Sequence, residues 1–171
     1  MDFFKVVENR RAIRGFDGRP VEEEKLRAIL EAANAAPSAG NQQAYDIYVV
    51  RDVRRRSALS RAAYAQGFVL TAPVSLVFCA SPARSDPRYG SRGRDLYSVQ
   101  DATIACAFAM LAAVAQGLAT VWTGAFDPEE VRAVIGEPEN STPVAILPIG
   151  YAAAEPEPRV RRPLEELVHE V

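Results

Sequence analysis

Arg10, Arg11 and Arg14 crowd the start of the chain, and Arg159, Arg161 and Arg162 crowd its end. A guanidinium presents a planar fork of N–H donors that meets a phosphate two bonds at a time, so each cluster is a candidate phosphate grip. A solvated basic turn and a solubilising tail would read the same way, and neither cluster is diagnostic alone. Pro37-Ser38-Ala39-Gly40-Asn41-Gln42-Gln43 packs small and hydrogen-bonding residues into one stretch. Small residues let the backbone approach a flat ligand, and Asn and Gln can both donate and accept along a heteroaromatic edge. An ordinary helix-ending loop has the same composition. In Val121-Trp122-Thr123-Gly124-Ala125-Phe126, Gly124 would bare a backbone N–H to a ligand; the plainer alternative is a structural turn around a core Trp.

The only histidine is His169, close to the C-terminus. A histidine-built metal site is therefore excluded, and a Ser-His-Asp arrangement would have to use the tail. The two cysteines, Cys79 and Cys106, sit in apolar runs, where Cys behaves as a small hydrophobe rather than as half of a disulfide framework. If the chain is an enzyme, its hard chemistry belongs to a cofactor.

Those residues need elements to position them. Residues 2–11 read as a short amphipathic helix whose apolar side is Phe3, Phe4, Val6 and Val7. Pro20 opens a second helix, with Glu22, Glu23 and Glu24 near its positive end and Leu26, Ile29, Leu30 and Ala33 at helical spacing. Tyr45–Val50 reads as a strand. Residues 52–66 read as a basic-faced helix with Leu59, Ala63 and Tyr64 inward. Val74–Ala80 reads as a buried strand after Pro73. Residues 81–96, rich in Ser, Pro, Arg and Gly, read as a mobile surface loop or lid. Residues 98–116 form the longest helix, and Leu118–Trp122 a strand. Asp127-Pro128-Glu129-Glu130 starts a helix that Gly136 stops. Val144–Tyr151 is the last strand, and residues 163–167 make a short helical turn.

With 171 residues, 49% hydrophobic and 25% charged, the chain fits a single domain with one substantial core. Its formal net charge of −2 provides no field to hold nucleic acid. Residues 1–8 carry no basic region followed by a long apolar stretch, so no secretory signal is expected, and a reducing cytoplasm is the expected compartment. The run from Ala102 to Ala125 has no charged residue. Gly117 cuts it short of a membrane span, and no membrane role is expected. A helix apolar all round wants cover on every side, which a small domain struggles to supply alone. A second copy is therefore expected to cover one face. Ala105, Ala109, Ala112 and Ala113 would permit the close approach.

Taken together, these segments resemble the nitroreductase family of FMN proteins over nearly the whole chain. The matching stretches include Arg10-Arg11-Ala12-Ile13-Arg14-Gly15-Phe16, Pro37–Gln43, Ala72-Pro73-Val74, Asp101-Ala102, Trp122-Thr123-Gly124-Ala125-Phe126, Leu147-Pro148-Ile149-Gly150-Tyr151 and Arg161-Arg162-Pro163-Leu164. The resemblance implies an α+β subunit with a central, mostly antiparallel sheet flanked by helices, in an intertwined homodimer. It implies tightly bound FMN, with NAD(P)H as co-substrate. Hydride would pass from NAD(P)H through flavin N5 to an electron-poor acceptor such as a nitroaromatic or quinone, and no protein side chain is named as catalytic. Arg10, Arg11, Ala12 and Arg14 correspond to the family's phosphate and ring motif. Pro37, Ser38, Ala39, Gly40, Asn41 and Gln43 correspond to a loop that one subunit lends to the flavin of the other. Thr123, Gly124 and Ala125 correspond to the segment beside flavin N5, and Arg159 and Arg161 to the tail that completes the phosphate pocket. Ala12 stands where the family usually has Ser, Ala44-Tyr45 where Pro-Trp is usual, and Ala107-Phe108 where Gln-Asn is common. A non-catalytic flavin- or nucleotide-binding module, and a dehalogenating or flavin-fragmenting enzyme, remain alternatives on the same fold.

Overall fold

The computed structural model describes residues 2–136, 140–154 and 158–171. Seven α-helices among them are α1 (Phe3–Asn9), α2 (Glu23–Asn34), α3 (Val53–Ala62), α4 (Gly67–Thr71), α5 (Pro82–Arg92), α6 (Ser98–Ala115) and α7 (Pro128–Ile135). The strands are β1 (Tyr45–Val50), β2 (Val74–Ala80), β3 (Ala119–Thr120) and β4 (Thr142–Gly150), in the order β1-β2-β4-β3 with every pairing antiparallel.

β2 explains the layering. All seven of its residues are buried, and successive side chains point to opposite faces. Val74, Leu76, Phe78 and Ala80 join Ala145, Leu147 and Ile149 of β4 beneath α2 and α6. Val77 and Cys79 join Ile146 on the other face, under α3 and α7. The result is helix, sheet, helix, with period two along each strand and helical spacing across each cover. α2 buries Leu26, Ile29 and Ala33, as its spacing predicts. Asp127 caps α7 by accepting the N–H groups of Glu129 and Glu130 at 2.9 and 3.1 Å. Gly136 ends that helix in the left-handed region, at φ 74°, where a Cβ is strained.

Several expectations change. Residues 81–96 are helical, not a loop: α5 runs into a π-helical turn at Gly93–Tyr97 and on into α6. Pro82 sits in its first turn, Arg84 pairs with Asp46 at 2.6 Å, and Tyr89 packs edge-on against Tyr97 at 5.2 Å. These contacts hold a segment that its Pro and Gly content speaks against; Gly90 marks the kink it retains. The 52–66 helix stops at Ala62 and a short α4 follows. Tyr64, with φ 55°, lies in the intervening turn and points outward. Of the expected apolar side of α1, only Val6 is buried; Phe4 is 77% exposed. The third strand shrinks to two residues.

α6 is where the outcome is finest. Ala105, Ala109 and Ala113 are fully buried against α2 and the sheet, so the close approach they permit lies inside the protomer. The outer stripe is Ile104, Ala107, Phe108, Leu111 and Ala115, half-buried or exposed. The continuous helical run Pro82–Ala115 has the length and hydropathy of a membrane span. Its inward side nevertheless carries the buried Asp101, with partners described below.

Candidate functional site

The two ends of the chain are joined through the sheet. Ile13 donates its N–H to Thr120 O at 3.0 Å, setting residues 12–13 parallel to β3. Asp17 donates to Tyr151 O at 3.1 Å and Ala153 to Gly15 O at 3.0 Å, so the chain leaving β4 runs against residues 15–17. Ile13 and Phe16 anchor this strip in a small core with Ala72 and Ala119. Alternation along an extended strip then turns Ala12 and Arg14 outward.

The consequence is a cleft of about 740 Å³ lined by Arg10, Arg11, Ala12 and Arg14 from one end and by Arg159 and Arg161 from the other. Arg11 turns back onto the carbonyls of Glu8 and Arg10. Arg10, Arg14, Arg159 and Arg161 form no ion pair among the described residues. Glu8 is the only acidic residue described in the lining. Several guanidinium groups against a single carboxylate leave an unsatisfied preference for an anion, and a phosphate satisfies it best. The residues present therefore fit a phosphorylated cofactor.

The 37–43 loop lies elsewhere in the protomer. Pro37, Ser38 and Ala39 line a separate recess of about 470 Å³ with Tyr97, Asp101 and Ile104 of the π turn and α6. Asp101, 2% exposed, is its fastener. One carboxylate oxygen accepts the Ala39 N–H at 2.9 Å and the other the Ala44 N–H at 3.2 Å, so a single side chain holds both ends of the loop. Ser38 Oγ accepts the Gln43 N–H at 3.0 Å within that frame. Asn41 and Gln43 adopt φ of 58° and 47°, a conformation that costs about 1–2 kcal/mol per residue for a side chain with Cβ. Gly40 is favoured by its φ of 52°, and a Cβ there would also push aside the ends of the Tyr89 and Arg88 side chains. Burial first, and then the charge of Asp101, push the Tyr45 phenol above its ordinary value.

Thr123 is buried and pairs with Ile146 through both backbone groups, at 3.0 and 2.9 Å. Gly124 and Ala125 are exposed beyond it. Trp122 is half-exposed, not a core residue. A Cβ at Gly124 would press the Trp122 ring at 3.1 Å. Gln66 donates Nε2 to Ala125 O at 3.0 Å and to Ala63 O at 2.9 Å, tying this turn to α3. Neither this turn nor the 37–43 loop contributes to the described lining of the arginine cleft. Asp101 and Gln66 had no role from sequence. Each works through a backbone partner 57 to 62 positions away, and only the Asp101-Ala102 stretch carried any hint of one.

Cys79 and Cys106 are both buried and free. Burial lifts the Cys79 thiol to about 11 and raises that of Cys106 as well. Neither is a nucleophile at neutral pH. No group of three or more His, Cys, Asp or Glu residues able to hold a metal occurs among the described residues.

Comparison with known proteins agrees with this geometry. The nitroreductase family profile matches residues 7–68 and 54–151. The chain is 36% identical to a Thermus thermophilus protein named NADH dehydrogenase, across 93% of this chain and 91% of that one. It is 31% identical to the Bacillus subtilis FMN reductase (NAD(P)H), across 99% and 73%. The crystal structure of nitroreductase A from Vibrio parahaemolyticus superposes with a TM-score of 0.91 at 29% identity, covering 99% of this chain and 76% of that one. By profile, sequence and fold, the chain belongs to the nitroreductase family.

Proposed function

We propose that residues 1–171 form one FMN-binding domain that works as an NAD(P)H-dependent oxidoreductase, reducing electron-poor acceptors such as nitroaromatics or quinones. The observation that carries this reading is the cleft where Arg10 and Arg14 meet Arg159 and Arg161, with Glu8 the one acidic residue described in its lining and none of the four arginines in an ion pair among the described residues. Family membership and the names of the relatives support the cofactor and the co-substrate. FMN, when bound, would supply the hydride- and electron-transfer chemistry.

The protein's part is to bind and orient. Arg10, Arg159 and Arg161 grip the phosphate. Arg14 supplies positive charge at the pyrimidine edge, where N–H donors and cations favour negative charge on the ring. Thr123, paired through both backbone groups with Ile146, holds the turn in place, and Gly124 and Ala125 beyond it would offer backbone N–H groups beside the reacting face, with Gly124 keeping that face open. Pro37, Ser38, Ala39, Gly40, Asn41 and Gln43 close the ring site of a second copy. Their separation from the arginine cleft within one protomer supports this assignment, as does the uncovered stripe of α6. Ala12 lines the cleft with no hydroxyl to offer. The working form is thus a homodimer, placed in the cytoplasm, where buried thiols stay reduced.

The visible spectrum of the purified protein tests the cofactor, and NAD(P)H oxidation with menadione or a nitroaromatic tests the activity. Flavin absorbance and steady turnover are expected. Protein that stays colourless after FMN addition refutes the reading, and bound flavin without turnover reduces it to a binding module.

A further inference from the structure

The helical segment above the 37–43 loop carries Arg84, Arg88, Arg92 and Arg94. Two of these are neutralised, Arg84 by Asp46 at 2.6 Å and Arg94 by Asp86 and Asp95 at 3.2 and 3.0 Å. Arg88 and Arg92 have no ion pair among the described residues. Instead, each is set against an aromatic ring. The Arg88 guanidinium carbon lies 5.4 Å from the centre of Tyr89, and Nη1 donates to Gly40 O at 3.3 Å. Arg92 lies 5.3 Å from the centre of Tyr97 and donates Nε to its hydroxyl at 2.9 Å. The two rings meet edge-on at 5.2 Å. Tyr97 also lines the recess that Pro37, Ser38 and Ala39 share with α6.

Two guanidinium groups of like charge on one short segment gain from a shared anion, and neither is needed to balance a carboxylate of the fold. Tyr97 and Ile104 line the recess and give a planar molecule an apolar and aromatic seat, with Tyr89 packed edge-on behind Tyr97. We propose that Arg88 and Arg92, with Tyr89 and Tyr97, select anionic aromatic acceptors: the electron-poor ring seats in the recess and a carboxylate or sulfonate meets the two arginines. This rests on the reading of the 37–43 loop as a wall of the flavin site. The rival source of the same chemistry is the 2′-phosphate of NADPH, an anion on a molecule with its own flat rings.

The test pairs 4-nitrobenzoate with the neutral isostere 4-nitrobenzamide on FMN-loaded protein. Isothermal titration reads binding, and kcat/KM with NADH and with NADPH reads turnover. The benzoate should bind about tenfold more tightly, the worth of roughly one charge-assisted hydrogen bond at a part-exposed site, and added salt should shrink the difference. The double variant Arg88→Gln/Arg92→Gln should bring the ratio near one, while Arg88→Lys/Arg92→Lys, which keeps the charge, should retain part of it. Equal binding of the two probes by the native protein overturns the proposal, as does a preference that survives the glutamine variant. Loss of NADPH relative to NADH in that variant, with the probe ratio unmoved, also overturns it, by assigning the arginines to the co-substrate. Anion-selective binding without turnover keeps this site and removes the reductase reading. Turnover without anion preference does the reverse.

Discussion

A guanidinium is available to a phosphate only if no carboxylate already holds it, and that distinction sorts the arginines of this protein. Arg27 pairs with Glu31 at 2.8 Å and Arg51 with Glu23, whereas Arg10 and Arg14 face the cleft without an ion pair among the described residues. Replacing Arg10 and Arg14 by Ala should weaken FMN binding by about 1.5–3 kcal/mol for each charge-assisted hydrogen bond removed. Replacing Arg27 by Ala should leave it unchanged; a flavin-fluorescence titration compares them. Asp101 is a different kind of residue, since it receives two backbone N–H groups inside the protein. Asp101→Asn leaves one of those donors facing an NH2 group. It should cost about 1–3 kcal/mol of stability in a urea titration, with weaker flavin binding because the 37–43 loop is then anchored at one end only. The buried thiols give a third check. With Cys79 held protonated up to about pH 11, native protein at pH 8 should show no fast reaction with a thiol-specific disulfide reagent, and both cysteines should react once it is unfolded. A rapidly titrating thiol in the native state would contradict the packing described here.

Elements differ in how plainly the sequence announces them. β2 and α7 were fully legible, because an uninterrupted apolar run after Pro73 and an Asp-Pro-Glu-Glu start are local signals with local causes. Asp127→Ala should therefore cost about 1 kcal/mol in thermal or urea unfolding, the usual worth of an N-cap. A change within a few tenths of a kcal/mol would mean that the cap is not holding the helix. α5 was illegible for the opposite reason. Pro87 and Gly90 argue for a loop, and the contacts that make the segment helical, Arg84 with Asp46 and Arg88 with Gly40, come from partners 38 and 48 positions away. α6 was half legible: its lack of charge signalled burial on every side, but not which alanines face inward. Ala105, Ala109 and Ala113 fill the protomer, and Phe108 and Leu111 lie on the stripe that the protomer leaves uncovered.

At the scale of the whole molecule, the arginine clusters could be read from sequence only as two separate groups. Their meeting depends on residues 12–17 lying between β3 and the chain that leaves β4, a relation between segments more than 100 positions apart. The proposed homodimer belongs to the same scale. Apolar side chains left exposed on α1, on α6 and in the tail, including Phe4, Phe108 and Leu164, give a second copy an extended surface to cover. Light scattering should report twice the 18.6 kDa of one chain. Phe108→Asp should shift that mass toward the monomer and lose bound flavin with it. The most direct measurement is a parallel titration of the protein with FMN and with riboflavin, which differ only by the phosphate. FMN should bind at least about a hundredfold more tightly, the equivalent of two charge-assisted hydrogen bonds. Equal affinity for the two would mean that the arginines from the two chain ends hold no phosphate.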